Sequence, residues 1–170
     1  MSLVSREEWE RKAYYWMNQC EDEVSSWKSL CDFSIGLFKL DWSTRRRSSR
    51  GGVYGNLVPG INIAMQLACV EYSKVARQYE YKSFDSDPVI GGFYYRDSNL
   101  KLGLHICHEV AHAVQFYRHL VLEDNSYDKP HGNSFKKPYR RLREKILNPC
   151  LEEQTSLKEE YETLIKEYSK

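Results

Sequence analysis

Residues 98–121 read SNLKLGLHICHEVAHAVQFYRHLV. At the centre of this segment, His108, Glu109 and His112 form an HExxH pattern. Successive residues of a helix are rotated by about 100°, so the two histidines would face the same side, one turn from each other. That spacing lets both imidazoles reach one zinc ion, with the carboxylate of Glu109 beside the metal as a general base. The segment therefore predicts a metal site on a helix.

A helical projection of this segment separates its apolar and polar side chains. The apolar ones cover most of the circumference: Leu104, Ile106, Cys107, Val110, Ala111, Ala113, Val114, Tyr117, Leu120 and Val121. The remaining sector holds His105, His108, Glu109, His112 and His119, with Gln115 at its border. A helix that is apolar nearly all round is buried, and its polar side chains need partners there. A metal ion would provide them; the alternative is a set of hydrogen-bonded core histidines.

The composition favours a single globular domain with helical additions. The chain has 170 residues, 41% of them hydrophobic and 14% aromatic, which is enough for a core. We expect an N-terminal helix (1–32) packed on the domain, a central domain that carries the HExxH pattern (33–149) and a C-terminal amphipathic helix (150–170). The formal net charge of +1 conceals acidic terminal helices and two strongly basic internal stretches.

The cysteines predict a reducing environment. Five are present, at positions 20, 31, 69, 107 and 150, with no CxxC pair. An odd number without paired spacing favours buried free thiols over disulfides. The N-terminal residues do not resemble a signal peptide, and no apolar segment is long enough to span a membrane. We therefore expect a cytoplasmic protein without a membrane partner.

The region before the HExxH helix predicts one helix and a small sheet. Ser5 and Glu8 form a capping box for a helix that extends to about residue 30. Strands are expected at 33–40, 54–58 and 61–65, with a turn at Gly51 and Gly52 and a break at Pro59 and Gly60. These features predict the α+β class, with a mostly antiparallel sheet packed against helices.

The other segments are assigned from their patterns. Apolar spacing allows a helix at 66–79, and Pro88 with two glycines marks a loop at 85–92 before a short strand at 93–95. A basic amphipathic helix is predicted over 133–147. The tail at 151–168 forms a helix with one apolar face, which would pack on the body of the protein or on a partner.

A catalytic zinc normally has three protein ligands, so a third is needed. His105 and His119 each lie seven residues from His112, about 10 Å along a helix, which is too far to share one ion. His131 lies beyond a loop that can fold back, and Gly132 permits a close approach. Carboxylates in the same loop are alternatives: Glu123, Asp124 and Asp128.

The two motifs together resemble the SprT-like (Spartan-type) metalloprotease family, in which HExxH is followed by His-Gly-x-x-Phe. The matching residues are His108, Glu109, His112, His131, Gly132 and Phe135. The resemblance implies a zincin-like fold, Zn²⁺ as cofactor, His131 as the third ligand and Glu109 as the catalytic residue. Family members include DNA-activated proteases that degrade proteins crosslinked to DNA. The chain differs from many of them because it has no CxxC…CxxC zinc ribbon.

Two basic clusters are candidates for contact with DNA. The first comprises Arg45, Arg46, Arg47 and Arg50, and the second Lys136, Lys137, Arg140, Arg141, Arg143 and Lys145. Tyr54 and Tyr139 offer stacking faces near them, as single-strand binders use. A charge run is more often a solvated surface, so charge alone does not establish this partner.

Three functions are compatible with the sequence. The first is a zinc endopeptidase acting on proteins, DNA-bound ones in particular, in which a tyrosine (Tyr117, Tyr127 or Tyr139) assists the reaction. The second is a DNA-binding or regulatory module with a structural zinc. The third is an interaction protein that binds no metal and has the HExxH pattern by accident.

Overall fold

The helix that carries the HExxH pattern lies at the centre of the fold. The computed structural model describes residues 4–45, 47–69, 74–78, 81–96, 98–147 and 151–170. Its helices are α1 (Arg6–Ser25), α2 (Met65–Ala68), α3 (Ser98–Leu120), α4 (Asn133–Leu142) and α5 (Leu151–Tyr168). Its strands are β1 (Leu37–Asp41), β2 (Arg50–Tyr54), β3 (Val58–Ala64), β4 (Ala76–Gln78) and β5 (Phe93–Tyr95). Small sheets packed against helices confirm the predicted α+β class.

The helix α3 is buried along most of its length, as its apolar circumference predicts. It packs against β2 and β3, and also against α1 and α4. Gly103 allows the close contact with α1, because a Cβ atom there would lie 2.7 Å from the ring of Trp16. Trp16 also donates its indole N–H to the Oδ1 atom of Asn99 at 2.9 Å. These contacts fix α1 against the HExxH helix.

The predicted cap and buried face of α1 are both present. The side chain of Ser5 accepts a hydrogen bond from the backbone N–H of Glu8 at 3.1 Å. The buried positions follow the helical period: Trp9, Ala13, Trp16, Met17, Cys20 and Val24. The predicted helix extends to about residue 30, whereas α1 ends at Ser25.

The described strands form one three-stranded and one two-stranded sheet. In the larger sheet β3 is central, parallel to β1 and antiparallel to β2. In the smaller sheet β4 and β5 are antiparallel. The contact of β2 and β3 with α3 places Gly51 against the backbone of Glu109, the residue after His108.

The first strand begins later than predicted, at Leu37 instead of residue 33. The backbone N–H of Ile35 donates to the carboxylate of Glu21 in α1 at 2.6 Å. Since a side chain already satisfies this amide, backbone bonding to β3 begins only at the next residue, where the N–H of Gly36 donates to the carbonyl of Pro59 at 2.9 Å.

The predicted turn at Gly51 and Gly52 is wrong, because both glycines lie within β2. A Cβ atom on Gly51 would overlap the backbone carbonyl of Glu109. Glycine at this position therefore allows a strand to approach a helix closely, which is the other common reason for glycine in a strand.

The predicted strand 61–65 is present as the second part of β3, which ends at Ala64. The predicted strand 54–58 is wrong, since the chain turns at residues 55–57, and so is the predicted break, since β3 continues through Pro59 and Gly60. The turn has positive φ at Gly55 (48°) and Leu57 (63°). Pro59 is tolerated because it lies at the start of the contact with the β1 side: its carbonyl accepts from the N–H of Gly36 at 2.9 Å, and the register with β1 begins at the next residue, Gly60.

The predicted helix 66–79 is wrong beyond Ala68, where α2 ends. Residues 76–78 form β4, which pairs with β5. Two positions of the helical pattern, Val70 and Tyr79, lie outside the described residues. A strand partner more than ten residues away overrides a weak local helical preference, because tertiary pairing outweighs intrinsic propensity.

The C-terminal helix α5 packs on β5, one of the two predicted alternatives. The side-chain amide of Gln154 accepts from the backbone N–H of Tyr94 at 3.0 Å and donates to its carbonyl at 2.7 Å. The rings of Tyr94 and Tyr161 lie 5.5 Å apart, and Leu157 is buried. The predicted division at residues 32 and 149 stays a prediction. No described helix combines the length and apolarity that crossing a bilayer requires.

We predict that Gly51→Ala destabilises the protein by about 1–3 kcal/mol, the usual range for overpacking. The added methyl would push β2 away from α3 at Glu109. The neighbouring Gly52→Ala is the matched control, because the nearest atoms to its Cβ lie 3.9 Å away in the ring of Tyr54. Urea denaturation of both variants provides the measurement. Equal stabilities would show that Gly51 is not a contact point between strand and helix.

Candidate metal centre

The three predicted histidine ligands converge in the structure. His108 and His112 lie on successive turns of α3, and His131 reaches them from the loop before α4. Their ligand nitrogens all lie within 4.8 Å of one another, and the Nε2 atoms of His112 and His131 are 2.9 Å apart. Three histidines are thus close enough to bind one metal ion.

The neutral tautomer of His112 is fixed by Gln115. The Nδ1 atom of His112 lies 3.1 Å from the Oε1 atom of Gln115. That oxygen can only accept, so the imidazole proton must be on Nδ1 and the Nε2 lone pair faces the other histidines. A hydrogen bond of this kind is what orients a histidine that binds a metal.

The amide nitrogen of Gln115 holds the loop that carries His131. It donates to the backbone carbonyl of Lys129 at 2.9 Å and to the hydroxyl of Ser134 at 2.8 Å. Both partners flank His131 in the sequence. Because Gln115 is 1% exposed, these bonds form in a water-poor environment where their loss would leave buried groups unsatisfied.

Asp128 shapes the same loop from its other side. Its carboxylate accepts from the backbone N–H groups of Lys129, Asn133 and Ser134 and from the Ser134 hydroxyl. The Ser134 hydroxyl bond is the largest of the effects that hold the pKa of Asp128 well below its ordinary value. This carboxylate therefore caps the N-terminus of α4. A Cβ atom on Gly132 would overlap it, so glycine is required there.

The carboxylates considered as alternative ligands are outside the cluster. Asp128 is used for capping, and Asp124 accepts from the backbone N–H of Ser126 at 3.1 Å. Glu123 is exposed. Among the described residues, the group that can hold a metal consists of the three histidines. His119 is stacked on Tyr127, with ring centroids 4.6 Å apart, as expected for a residue excluded by its distance.

Burial keeps His112 neutral. Burial is the largest effect and the neighbouring His108 the second; together they lower the pKa of His112 to about 3, against an opposing contribution from Gln115. Phe135 contributes to this environment, because its ring centroid lies 4.3 Å from that of His112 and 4.8 Å from that of His108. A neutral imidazole at physiological pH is the form that binds metals.

A cleft of about 400 Å³ opens beside the histidines. Glu109 lines it with 8% of its surface exposed, next to His108. Its lining also includes Arg47 and the two serines that follow it. Glu109 thus lies in the same cleft as His108.

Tyr81 lies over the histidines, and sequence analysis missed it. Its ring centroid is 3.9 Å from that of His131 and 6.1 Å from that of His108. It lines the cleft and is 43% exposed. It follows residues 79–80, outside the described part, and no periodic pattern or motif includes it, so the sequence held no signal for its role.

Of the three tyrosines considered earlier, Tyr139 lies near the histidines, with its ring centroid 5.3 Å from that of His108. Tyr117 packs on Phe33, Tyr127 on His119, and the buried hydroxyl of Tyr139 accepts from the guanidinium of Arg143 at 3.1 Å. None of them is among the residues that line the cleft.

The second basic cluster is largely engaged within the protein. Arg140 forms an ion pair with Asp87, and Arg141 lies over Trp27 with a 3.6 Å contact to Glu23. Arg143 is buried against Phe93 and Tyr139, and Lys136 lies over Phe84. Lys137 and Lys145 are exposed.

The first basic cluster faces solvent. Arg45, Arg47 and Arg50 are exposed, whereas Arg46 lies outside the described residues. Arg47 reaches the metal cleft. This cluster therefore provides the stronger candidate surface for an anionic partner.

Comparison of the chain with protein-family models finds no matching model. The corresponding comparisons with curated proteins and with solved structures find no match either. The geometry of the site and the two motifs therefore carry the inference about function.

We predict that Gln115→Leu weakens the binding of an added divalent metal, with zinc as the probe, about 10- to 100-fold, the usual effect of losing a partner that orients a ligand. His112 would lose its acceptor and the His131 loop its two amide bonds. Competition with a chromophoric chelator measures the affinity. Gln66→Leu, which removes a distant amide bond to the carbonyl of Trp42, should leave it unchanged. Equal affinities in the two variants would contradict the role of Gln115.

The pKa of His112 gives a second prediction, for protein stripped of metal. Between about pH 6.5 and pH 3 the unfolded chain binds a proton at this residue that the folded chain does not. The free energy of unfolding should therefore fall as the pH is lowered through this range, by up to about 1.4 kcal/mol per pH unit. In His112→Gln the slope should be smaller, whereas His119→Gln should retain it. Urea denaturation at several pH values tests both variants.

Proposed function

We propose that this protein is a zinc-dependent endopeptidase of the SprT-like type, with a zincin-like fold. The observation that carries the proposal is the convergence of His108, His112 and His131 beside a cleft lined by Glu109. A three-histidine set leaves one position open, which is the arrangement of catalytic rather than structural zinc sites. The resemblance to this family is a second support, because two histidines on one helix are followed by His-Gly-x-x-Phe.

Zinc is the metal that the donor set favours. Imidazole nitrogens suit zinc among the common metals, and the three ligands offer no thiolate and no carboxylate. A bound zinc ion would supply Lewis acidity, which activates water and polarises a carbonyl group. The aromatic surroundings of Phe135, Tyr81 and Tyr139 restrict water around the histidines.

Glu109 would handle the protons of peptide hydrolysis. Its carboxylate accepts a proton from the attacking water and then delivers it to the leaving amine. The close contact of Gly51 in β2 with the Glu109 backbone holds this residue at the cleft. General bases of this kind contribute roughly 10²- to 10⁴-fold to the rate.

Tyr81 would assist at the carbonyl oxygen of the substrate. Its ring lies over His131 at the exposed side of the cleft, where a scissile peptide would enter. A phenol hydroxyl there can donate a hydrogen bond to the oxygen on which negative charge develops. This role replaces the three tyrosines considered from the sequence.

A second candidate function is a DNA-binding or regulatory module with a structural zinc and little proteolysis. The exposed arginines of the first cluster favour it, because they can hold a phosphate backbone without an active cleft.

The same arginines are the reason that we propose DNA-bound proteins as the substrates of the peptidase. We also propose a cytoplasmic, reducing environment, in which the thiols of Cys20 and Cys107, with sulfur atoms 3.6 Å apart, stay free.

We predict that Glu109→Gln abolishes proteolysis, with a loss of at least about 100-fold, while zinc remains bound. The assay incubates zinc-loaded protein with a basic DNA-binding protein, with and without single-stranded DNA, and follows fragments by electrophoresis. Elemental analysis of the same preparations should give about one zinc per chain. Glu123→Gln, which changes an exposed loop carboxylate, is the control and should cleave normally. Undiminished cleavage by Glu109→Gln would end the proposal, and zinc without cleavage in the parent chain would favour the structural role.

A further inference from the structure

A cavity of about 440 Å³ lies between the helix α5 and the smaller sheet, and it shares no lining residue with the metal cleft. Three separate parts of the chain form its walls. They are the strands β4 and β5 with the loop at 85–92, the helical turn at 143–147 that follows α4, and the first half of α5. We call this space the α5 cavity.

Each of the three walls contributes one cation to the α5 cavity. Arg77 comes from β4, Arg143 from the turn after α4 and Lys158 from α5. Arg143 is only 1% exposed, and its guanidinium lies 5.0 Å from the ring centroid of Phe93 and 5.4 Å from that of Tyr139. A buried cation attracts an anion more strongly than an exposed one, because less water screens the two charges.

The backbone at Gly92 makes room for the guanidinium of Arg77. A Cβ atom at this position would overlap the Nε atom of that arginine. The same guanidinium lies 5.8 Å from the ring centroid of Tyr94, which also lines the cavity. Any residue other than glycine at position 92 would displace the cation, so the smaller sheet is adapted to hold Arg77 at this wall.

The carboxylate of Asp87 also lines the cavity, but its charge is already neutralised. Arg140 donates to both of its oxygens, and the backbone N–H groups of Val89 and Ile90 donate to one of them. This carboxylate therefore offsets Arg140 and leaves the three cations of the lining without compensation from it.

The other acids near the cavity are exposed. Asp85 lies 3.8 Å from Arg77 with 51% of its side chain exposed, and Glu162 lies 4.0 Å from Lys158 with 53% exposed. Ion pairs at this exposure contribute little, because solvent screens them. Within the described lining, positive charge thus exceeds negative charge, and the cavity suits an anion.

We propose that the α5 cavity binds a small phosphate compound, either inorganic phosphate or a phosphate monoester. The guanidinium groups of Arg77 and Arg143 match the oxygen atoms of a phosphate, and Lys158 adds a third positive charge at the exposed end. Three cations favour a dianion over a single carboxylate. The hydroxyl groups of Ser86 and Thr155 in the lining add further polar contacts.

An occupant of the cavity would contact all three walls and so connect α5 to β4 and to the turn after α4. A ligand that binds only the folded chain stabilises it. Phosphate is therefore expected to stabilise the protein and to strengthen the attachment of α5. The inference goes beyond the proposed peptidase, because it requires neither metal nor proteolysis.

The test titrates sodium phosphate, and separately ribose 5-phosphate, into the zinc-loaded full chain in a calorimeter, with sodium chloride of equal ionic strength as the blank. Arg77→Gln should weaken the binding of both compounds about 10- to 150-fold, the effect of losing a hydrogen bond between charged groups. Lys158→Gln should weaken it about 2- to 5-fold, because this cation is exposed. Lys158→Gln leaves the core intact, so the test holds even if Arg77→Gln fails to fold.

Thermal unfolding provides a second readout. At a phosphate concentration about 100-fold above the dissociation constant, the Tm of the parent chain should rise by roughly 5–10 °C. The rise at the same concentration should be smaller in both variants. Tighter binding of ribose 5-phosphate than of phosphate would identify a monoester as the occupant, whereas equal or weaker binding would identify inorganic phosphate.

Two control variants separate the α5 cavity from other basic groups. Lys166→Gln changes an exposed lysine of the last turn of α5, and Arg47→Gln changes the cation of the metal cleft; both should bind phosphate as the parent does. The inference fails if phosphate binds no better than chloride, if Arg77→Gln and Lys158→Gln retain the affinity, or if Arg47→Gln abolishes it. Phosphate binding without proteolysis would support the cavity and reject the peptidase, and proteolysis without phosphate binding would do the reverse.

Discussion

The side chain of Gln115 connects the two parts of the metal centre. One end of its amide fixes the tautomer of His112, and the other end binds the backbone and the hydroxyl that flank His131. The Ser134 hydroxyl in turn donates a hydrogen bond to the carboxylate of Asp128, which caps α4. A single buried amide thus sets the distance between ligands that lie 19 residues apart in the sequence. A shorter or apolar side chain at position 115 would remove the hydrogen bonds that hold the His131 loop against α3.

Helices were easier to predict from the sequence than strands, for a physical reason. The buried residues of α1 and α3 recur at the helical period, so the spacing of apolar residues within a short segment predicts which positions are buried. Glycine, by contrast, permits both turns and close packing. Gly51 has the second role, and only the position of the Glu109 carbonyl reveals it. The end of α2 likewise depends on a pairing of β4 with a distant strand, which no short window contains.

The candidate site shows the same limit. His108, Glu109 and His112 follow from spacing within one helix, and His131 from the ligand count together with the family motif. Tyr81 belongs to a segment without a pattern, and its position over His131 results from tertiary packing. The involvement of Arg140 and Arg141 in internal ion pairs was equally invisible, because a run of charges does not specify which carboxylates will fold against it.

The contact of Gln154 with β5 has a consequence for the behaviour of the protein at high concentration. Its amide satisfies both backbone groups of Tyr94, as a residue of an adjoining strand would do. An uncovered sheet edge is a template for pairing with other chains, and natural proteins commonly cover such edges. The helix α5 therefore covers this edge of the small sheet at Tyr94 and disfavours pairing with the strand of another molecule, through the side chain of one glutamine.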